Sequence, residues 1–513
     1  MGIFNLKDNA FFLKNWREQT RPAILIPSVS ILVLLVVMLF LFVKSTVSRV
    51  EDIYSGTAAA IFIMQGIIML FIGIAAASKS TNQERIYGTI DFHRISPSSR
   101  LSQTIGLVFG TTVAVWILML MTFPVGIYFA IAAGINIAAI SLFYISMLMC
   151  AILYHSVGVL TGLSYDMKAS NRAPSLFIIF ILPIFLLIPL LDEGMVSSTV
   201  YYLSWIPGYD ILFRAIDNNA SVHCAACSSG GYAHLPLHTF YGYTLHPIIY
   251  QVIVQVPMIA LVFAGIRRKI NRPEGSMFTK IHTLLFVLFF LILISGSLVS
   301  SRLQLKKYDY TIFLGVAYFI CILGAISATP DRLSFARGWR RARKTGETRM
   351  GLNDDHNSNS ASVFLFLFAM LAPYILITLF FPQSDKYNIL YITTIACSFM
   401  AFAGFLEAFM LSRLNKRRNI FWSAVFALWC LFPFLGMIIS GLLNKSSSIP
   451  YLFFSLSPFS IIAVFHDLIG GRKGTGVDDI SLFLLVGMNI VLAAAAVIFA
   501  RVARAKVKKE IME

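Results

Sequence analysis

The sequence predicts an all-α polytopic membrane protein with about twelve transmembrane helices, arranged as two parallel six-helix repeats behind an N-terminal amphipathic helix. Three observations carry that reading. Apolar and aromatic residues make up 58% of the 513 residues, and charged residues only 13%. The apolar residues form continuous runs, and a bilayer core of ~30 Å takes about 20 such residues per helix. The basic residues gather in the polar stretches that separate every second pair of runs.

The runs fall near 23–43, 57–78, 104–130, 136–163, 175–191, 248–266, 284–300, 311–329, 363–381, 388–411, 419–442 and 480–500. Barrel strands would alternate in polarity over ~10 residues, and these runs do not. The first run follows a polar segment, spans fully and lacks a small-residue cleavage site, so it reads as a membrane helix and not a signal peptide. Before it, Phe11, Phe12, Leu13 and Trp16 interleave with Lys14, Arg17 and Glu18. Phe12 and Trp16 are one helical turn apart, which suits a helix lying in the membrane interface. Pro22 then fits the first turn of the first span.

The net charge is +17. Lys and Arg concentrate in 79–100, 267–280, 330–349, 413–418 and 501–509. An even number of spans puts all five clusters and both termini on one side, and the positive-inside rule makes that side cytoplasmic. Lys306, Lys307, Arg472 and Lys473 are exceptions in outer loops. The charge therefore encodes topology and contact with membrane lipids, and no nucleic-acid partner is expected.

Three polar or prolyl landmarks recur in the same order in residues 1–269 and 270–513. Ile95-Ser-Pro-Ser-Ser-Arg100-Leu-Ser102 follows the second span, and Ile326-Ser-Ala-Thr-Pro330-Asp331-Arg332-Leu-Ser334 follows the eighth. An aromatic segment with a proline, 201–213, precedes the sixth span and contains Trp205, Pro207, Tyr209 and Phe213. Its counterpart 451–465 precedes the twelfth and contains Pro458, Phe459 and Phe465. Each half closes on an apolar helix with a basic end. Six spans per half preserve orientation, so the repeat is parallel. The two aromatic segments are too short to span, and each is expected to form a broken helix at the outer mouth, as a candidate outer gate.

Between the second and third spans the chain reads Glu84-Arg85-Ile-Tyr-Gly88-Thr89-Ile-Asp-Phe-His-Arg-Ile-Ser-Pro97. Glycine permits a sharp turn, and proline disfavours helix at the residue before it. Glu84 and Arg85 offer charge-assisted contacts to a partner surface. This Glu, Gly-Thr, Pro pattern resembles the cytoplasmic coupling loop of ABC-2 type permeases, the membrane subunits of one class of ABC exporters. The specific match covers about 84–106, while the six-span unit, the amphipathic N-terminus and the aromatic outer segment resemble that family along the whole chain. Two features depart from it. Gly106 is followed by Leu107 where the family often has Gly-Lys, and the second half keeps only Pro330, Asp331 and Arg332 of the loop pattern.

The resemblance implies an exporter permease in the bacterial inner membrane, driven by a separate ATP-binding-cassette subunit, in two copies for a fused pair of halves. ATP and Mg would then be bound by that partner. The chain itself is not expected to be an enzyme. A Walker A loop needs Gly-x4-Gly-Lys-Ser/Thr so that backbone amides cradle phosphate. The nearest miss, Gly338-Trp-Arg-Arg-Ala-Arg343-Lys344-Thr345, has arginine at the second glycine.

Other constellations are weaker. Cys224 and Cys227 with His234 and His238 have zinc-ligand character, though the gap between the pairs is short for a finger. A disulfide or an ordinary loop are the other readings. Cys150, Cys321, Cys397 and Cys430 lie inside apolar runs as small hydrophobes. His155 and Glu407 are the ionisable groups within spans, with Glu407 placed to pair with Arg413. Two such groups do not make an ion relay, which counts against the alternative, a twelve-helix secondary transporter.

Overall fold

The computed structural model describes residues 9–47, 50–94, 99–164, 201–222, 238–240, 243–271, 278–298, 332–346, 387–412 and 479–512, with isolated positions between 318 and 464. Among these residues, seven helices are long and apolar enough to cross a membrane. They belong to the expected spans one, two, three, four, six, ten and twelve. Spans five, eight, nine and eleven lie wholly or largely outside the described residues. The chain divides into two compact units, Met1–Pro273 and Glu274–Glu513.

In the first unit, α1 (Ala10–Gln19) begins at Asn9, whose side chain accepts from the amides of Phe11 and Phe12. That satisfies two of the amides every helix start leaves without an internal partner. Phe12 and Trp16 stack with centroids 5.8 Å apart, while Phe11 and Asn15 turn inward. Next, α2 (Pro22–Thr46) starts with proline in its first turn and buries only Leu32. Most of its other large side chains stay exposed, Ile24 and Phe42 among them, while Leu25, Leu39 and Phe40 are half-buried. An apolar surface of that length needs lipid or another apolar partner against it.

The second span is a long helix with a fault. α3 (Val50–Gly66) passes into a π turn at Ile67–Ile72 and continues as α4 (Gly73–Ile86). Gly88 then turns the chain at φ +74°, followed by the one-turn α5 (Thr89–Arg94).

The third expected span, 104–130, is not one helix. It is α6 (Arg100–Gly110) and α7 (Val113–Ala132). Thr111 and Thr112 donate their hydroxyls back to the Leu107 and Val108 carbonyls, a competition that bends helices. Gln19 of α1 occupies the break. Its amide nitrogen donates to the carbonyls of Gly110 and Thr111, and its oxygen accepts from Ala114 N–H. Hydropathy does not register this interruption, because two threonines hardly lower the mean of a long apolar run.

α8 (Ile137–Ser164) is the fourth span. A 3₁₀ turn at Tyr201–Leu203 leads to α9 (Ile206–Val222). Two three-residue strands follow, β1 (His238–Phe240) and β2 (Tyr243–Leu245). They pair antiparallel with Thr239 opposite Thr244, so the stretch between α9 and the next helix holds a hairpin the all-α expectation lacked. β-branched and aromatic residues at the pairing positions favour it. α10 (Pro247–Asn271) completes the unit.

The second unit has α11 (Lys280–Leu298), starting four residues before the expected span, the basic α12 (Arg332–Lys344), α13 (Tyr387–Leu411) and α14 (Asp479–Met512). α14 continues as helix well past its apolar part, through Arg501 and Lys509. Both Arg-Leu-Ser landmarks open a helix, α6 at Arg100 and α12 at Arg332. α13 and α14 pack along their length, with Ala401, Ala493 and Ala496 forming a small-residue core.

Candidate functional site

The polar turn after α4 is held from two sides. Glu84 is only 3% exposed, and its carboxylate accepts from Lys14 Nζ at 2.6 Å. Asn15 Nδ2 stands 3.5 Å from the same oxygen. Arg85 donates to the Leu163 carbonyl at the end of α8, at 3.2 Å. Glu84 and Arg85, expected to face a partner, instead fasten α4 to α1 and α8. The reason is spatial: α1 lies seventy residues away in sequence and brings a lysine onto the face where Glu84 points. A carboxylate this buried is costly without a cation beside it.

What faces outward is the tip. Tyr87 is 78% exposed, beside Gly88 and the exposed Asp91. Gly88 N–H donates to the Arg85 carbonyl, and Asp91 N–H to that of Gly88, so the tip is an ordered turn. A Cβ at Gly88 would meet nothing within 4 Å. The glycine is required by φ, not by space, since L side chains strain in that region. Thr89 is the first residue of α5, and Ile90 is buried beneath it. Pro97 and Asp331 lie outside the described residues, while Pro330 is buried and Arg332 forms an ion pair with Glu510 of α14. An exposed aromatic on a fastened turn is the feature the sequence reading passed over. Its signal was Tyr87 lying directly beside the turn glycine.

α1 is seated by glycines. A Cβ at Gly106 would lie 2.1 Å from Asn9 Oδ1, and one at Gly110 would lie 3.2 Å from Phe12 Cα. Asn9 Nδ2 also donates to the Ser102 hydroxyl at 3.1 Å. The departure Gly106-Leu107 thus marks where α1 presses on α6. A second pair, Gly158 and Gly162 of α8, takes α4. Added Cβ atoms there would come 2.6 Å from the Ile74 and Ser78 carbonyl oxygens. Both pairs have the Gly-x-x-x-Gly spacing that lets membrane helices approach closely.

The aromatic segment 201–213 is built into this unit, not laid on its outside. Tyr202, Ile206, Tyr209 and Leu212 are buried. Pro207 sits in the first turn of α9, where its missing amide costs nothing. It therefore starts a helix, where a break at mid-segment was expected. Trp205 and Tyr209 pack edge to face, 4.6 Å between centroids, and Tyr209 meets Phe143 of α8 at 4.9 Å. Phe213 stands one turn further, 5.8 Å from Tyr209. Gly66 makes room for Trp205 and Tyr209: a Cβ there would fall 2.1 Å from Trp205. The Tyr209 hydroxyl donates to the Phe62 carbonyl.

The turn ahead of α9 is tied by amides. Gln251 and Gln255, one turn apart on α10, donate to the carbonyls of Ser204 and Tyr202 at 3.1 and 2.9 Å. Tyr154 donates to the Leu203 carbonyl at 3.3 Å. Cys150 joins the same cluster, with Sγ 3.1 Å from the Ser204 carbonyl. It is thus buried as expected, but among polar partners. Gly66 falls at the middle of the apolar run 57–78, and Cys150 at the middle of α8. The segment therefore packs at the mid-length of two apolar helices.

His155 is fully buried. Its Nε2 lies 2.8 Å from the Met69 carbonyl within the π turn, and Trp116 meets its ring edge-on at 5.4 Å. A π turn leaves the regular i→i−4 ladder, and the His155 ring N–H, from a neighbouring helix, donates to one of its carbonyls. In the second unit, Glu407 is 2% exposed and pairs with Arg504 of α14 at 3.3 Å. The pairing with Arg413 expected from sequence concerned a residue outside those described.

Pro458, Phe459 and Phe465 lie outside the described residues, as do Cys224, Cys227 and His234. His238 begins β1. The zinc question at 223–238 therefore rests on the sequence.

No family model, curated protein or solved structure matches this chain.

Proposed function

We propose that this chain is the membrane-spanning permease of an ABC-2 type exporter, with two fused six-helix halves, twelve spans and both termini cytoplasmic in a bacterial inner membrane. A separate ATP-binding-cassette ATPase, in two copies, docks on its cytoplasmic face. The observation that carries this reading is the fastened turn at 84–94. A protein partner can drive membrane helices only through an element stiff enough to transmit displacement. Here Lys14–Glu84 and Arg85–Leu163 join the turn to α1 and α8, and Gln19 carries the link to the α6–α7 break. Tyr87 at the tip is the contact residue of the kind that dominates interfaces.

The buried aromatic segment is the gate of the same reading. Trp205 and Tyr209 pack at mid-length against the π turn of the helix that ends in the coupling turn. A push on Glu84 and Arg85 acts on the same rod that holds Trp205. Ion-coupled carriage has less support, because Glu407 is already neutralised by Arg504 near the polar end of its helix.

The test is reconstitution with the ATPase. The two chains should co-purify, and the permease should change ATP hydrolysis. Tyr87→Ala should weaken association at least about tenfold with an unchanged melting temperature, the size expected of a hot-spot aromatic. Unaltered association and hydrolysis in that variant would remove the turn from the mechanism. Absence of any complex with the wild-type chain would remove the exporter reading itself.

A further inference from the structure

α12 divides sharply into two faces. Phe335, Gly338 and Ala342 are buried, with Phe335 and Ala342 packed in one cluster with Leu411 of α13 and Val507 of α14. Trp339 borders that face and receives Lys508, whose Nζ is 4.0 Å from the ring centroid. On the other side stand Leu333, 67% exposed, and the exposed Arg340, Arg341, Arg343 and Lys344. These four cations make no ion pair among the described residues, and the helix contains no acidic residue. Thirteen residues are too few to span.

The packed face fixes where the helix lies. Leu411 is the last residue of α13. Val507 is seven residues beyond Ala500, after which α14 turns basic at Arg501, Arg504 and Lys506. Seven residues of helix rise about 10 Å, the depth of the headgroup layer beside an apolar core. Crowded like charges repel one another unless counter-anions sit between them. Guanidinium groups match phosphodiester oxygens, donating two parallel N–H bonds. Leu333 and Trp339 add an apolar residue and an amphipathic ring at the same level, a combination suited to a lipid interface.

From this we infer that α12, with its exposed cations Arg340, Arg341, Arg343 and Lys344, is a docking surface for anionic phospholipid headgroups in the second unit. The inference does not depend on the exporter reading. It needs only that α13 and α14 cross the bilayer.

The full-length chain, purified in neutral detergent, is titrated with phosphatidylglycerol and separately with phosphatidylcholine, and bound lipid is counted by native mass spectrometry. The wild-type chain should hold phosphatidylglycerol at least about tenfold more tightly, since each basic group near a headgroup layer contributes appreciably. Changing all four residues to Gln should lower phosphatidylglycerol binding at least about tenfold, leaving phosphatidylcholine binding unchanged. Changing Arg340, Arg341 and Arg343 to Lys, which keeps the charge but not the paired N–H geometry, should lower phosphatidylglycerol binding less than the Gln changes do. Arg267→Gln with Arg268→Gln, at the end of α10, should leave it as in the wild type. If the quadruple Gln variant does not fold, Arg340→Gln with Arg341→Gln serves, with about a threefold loss expected. Equal wild-type affinity for the two lipids, or unchanged binding in the Gln variants, would overturn the assignment. So would displacement of the lipid by inorganic phosphate or poly-glutamate at equal charge, since the surface would then accept any anion or an acidic protein.

Discussion

Two helix pairs, α4 with α8 and α13 with α14, solve the same packing problem in different ways. In the first, α8 gives up side chains altogether. Gly158 and Gly162 let the carbonyls of Ile74 and Ser78 approach to where a Cβ would stand 2.6 Å away. In the second, alanines do most of the work, with Gly404 against Ala496 and a nearest approach of 2.9 Å. The first pair carries buried polar atoms along its seam: Ser78, Thr81 and Asn82 each have a buried side-chain oxygen without a hydrogen-bond partner among the described residues. The second pairs Glu407 with Arg504 near one end and buries Thr394, Ser398 and Asn489 further along its two helices. The lesson is that both seams press backbone against a glycine, and that the first leaves less room, 2.6 Å at Gly158 and Gly162 against 2.9 Å at Gly404. Without a hydrophobic drive between helices in lipid, such close contacts decide which helices pair.

That difference predicts a ranking of effects. Gly162→Leu places a side chain against a backbone oxygen, so it should cost about 3 kcal/mol or more. Reversible unfolding in mixed micelles should show little folded protein, and a near-native midpoint would mean the seam is not as rigid as its geometry. Lys14→Ala comes next. It leaves the Glu84 carboxylate buried without its cation, at a cost of about 2 kcal/mol, moderated because Lys14 is 33% exposed. Lys14→Arg should restore most of that loss, and protease nicking near residue 20 reports whether α1 has detached. A Gly404→Ala variant should lose about 1–2 kcal/mol, since the added methyl meets the backbone and Cβ of Ala496 at 2.9 Å. If its thermal shift equals that of Gly162→Leu, the contrast between the pairs is wrong. Gly88→Ala should cost about 1 kcal/mol through φ alone, there being open space around it. Its hydrogen-exchange protection should fall only across 84–94. The smallest effect belongs to Gly487→Ala, which has no neighbour within 4 Å and should stay within about 0.5 kcal/mol of the wild type by thermal melting.

Much of this was legible beforehand, and the misses have identifiable causes. The seven helices able to span fall within or overlap the expected apolar runs, because lipid-facing length and hydropathy are properties of each segment alone. α1 was legible from its interleaved aromatics. The Gly-x-x-x-Gly spacings at 106–110 and 158–162 were present to be read, but a spacing does not name its partner helix. The α6–α7 break escaped because it depends on Gln19, nearly a hundred residues away. Cys150 was read as a plain hydrophobe, since nothing local announces that two glutamines of α10 converge on it.

The sequence by itself determined a helical, lipid-facing architecture and the polar turn with its glycine, since burial in hydrocarbon and a positive φ are constraints each segment meets alone. Only the tertiary structure decided where the charges and aromatics go. Glu84 faces Lys14, Tyr87 is left exposed at the tip, and Trp205 packs beside Gly66. Those assignments require segments far apart in sequence to meet. A buried charge or amide takes whichever partner the packed helices bring within reach, and no local pattern encodes that choice.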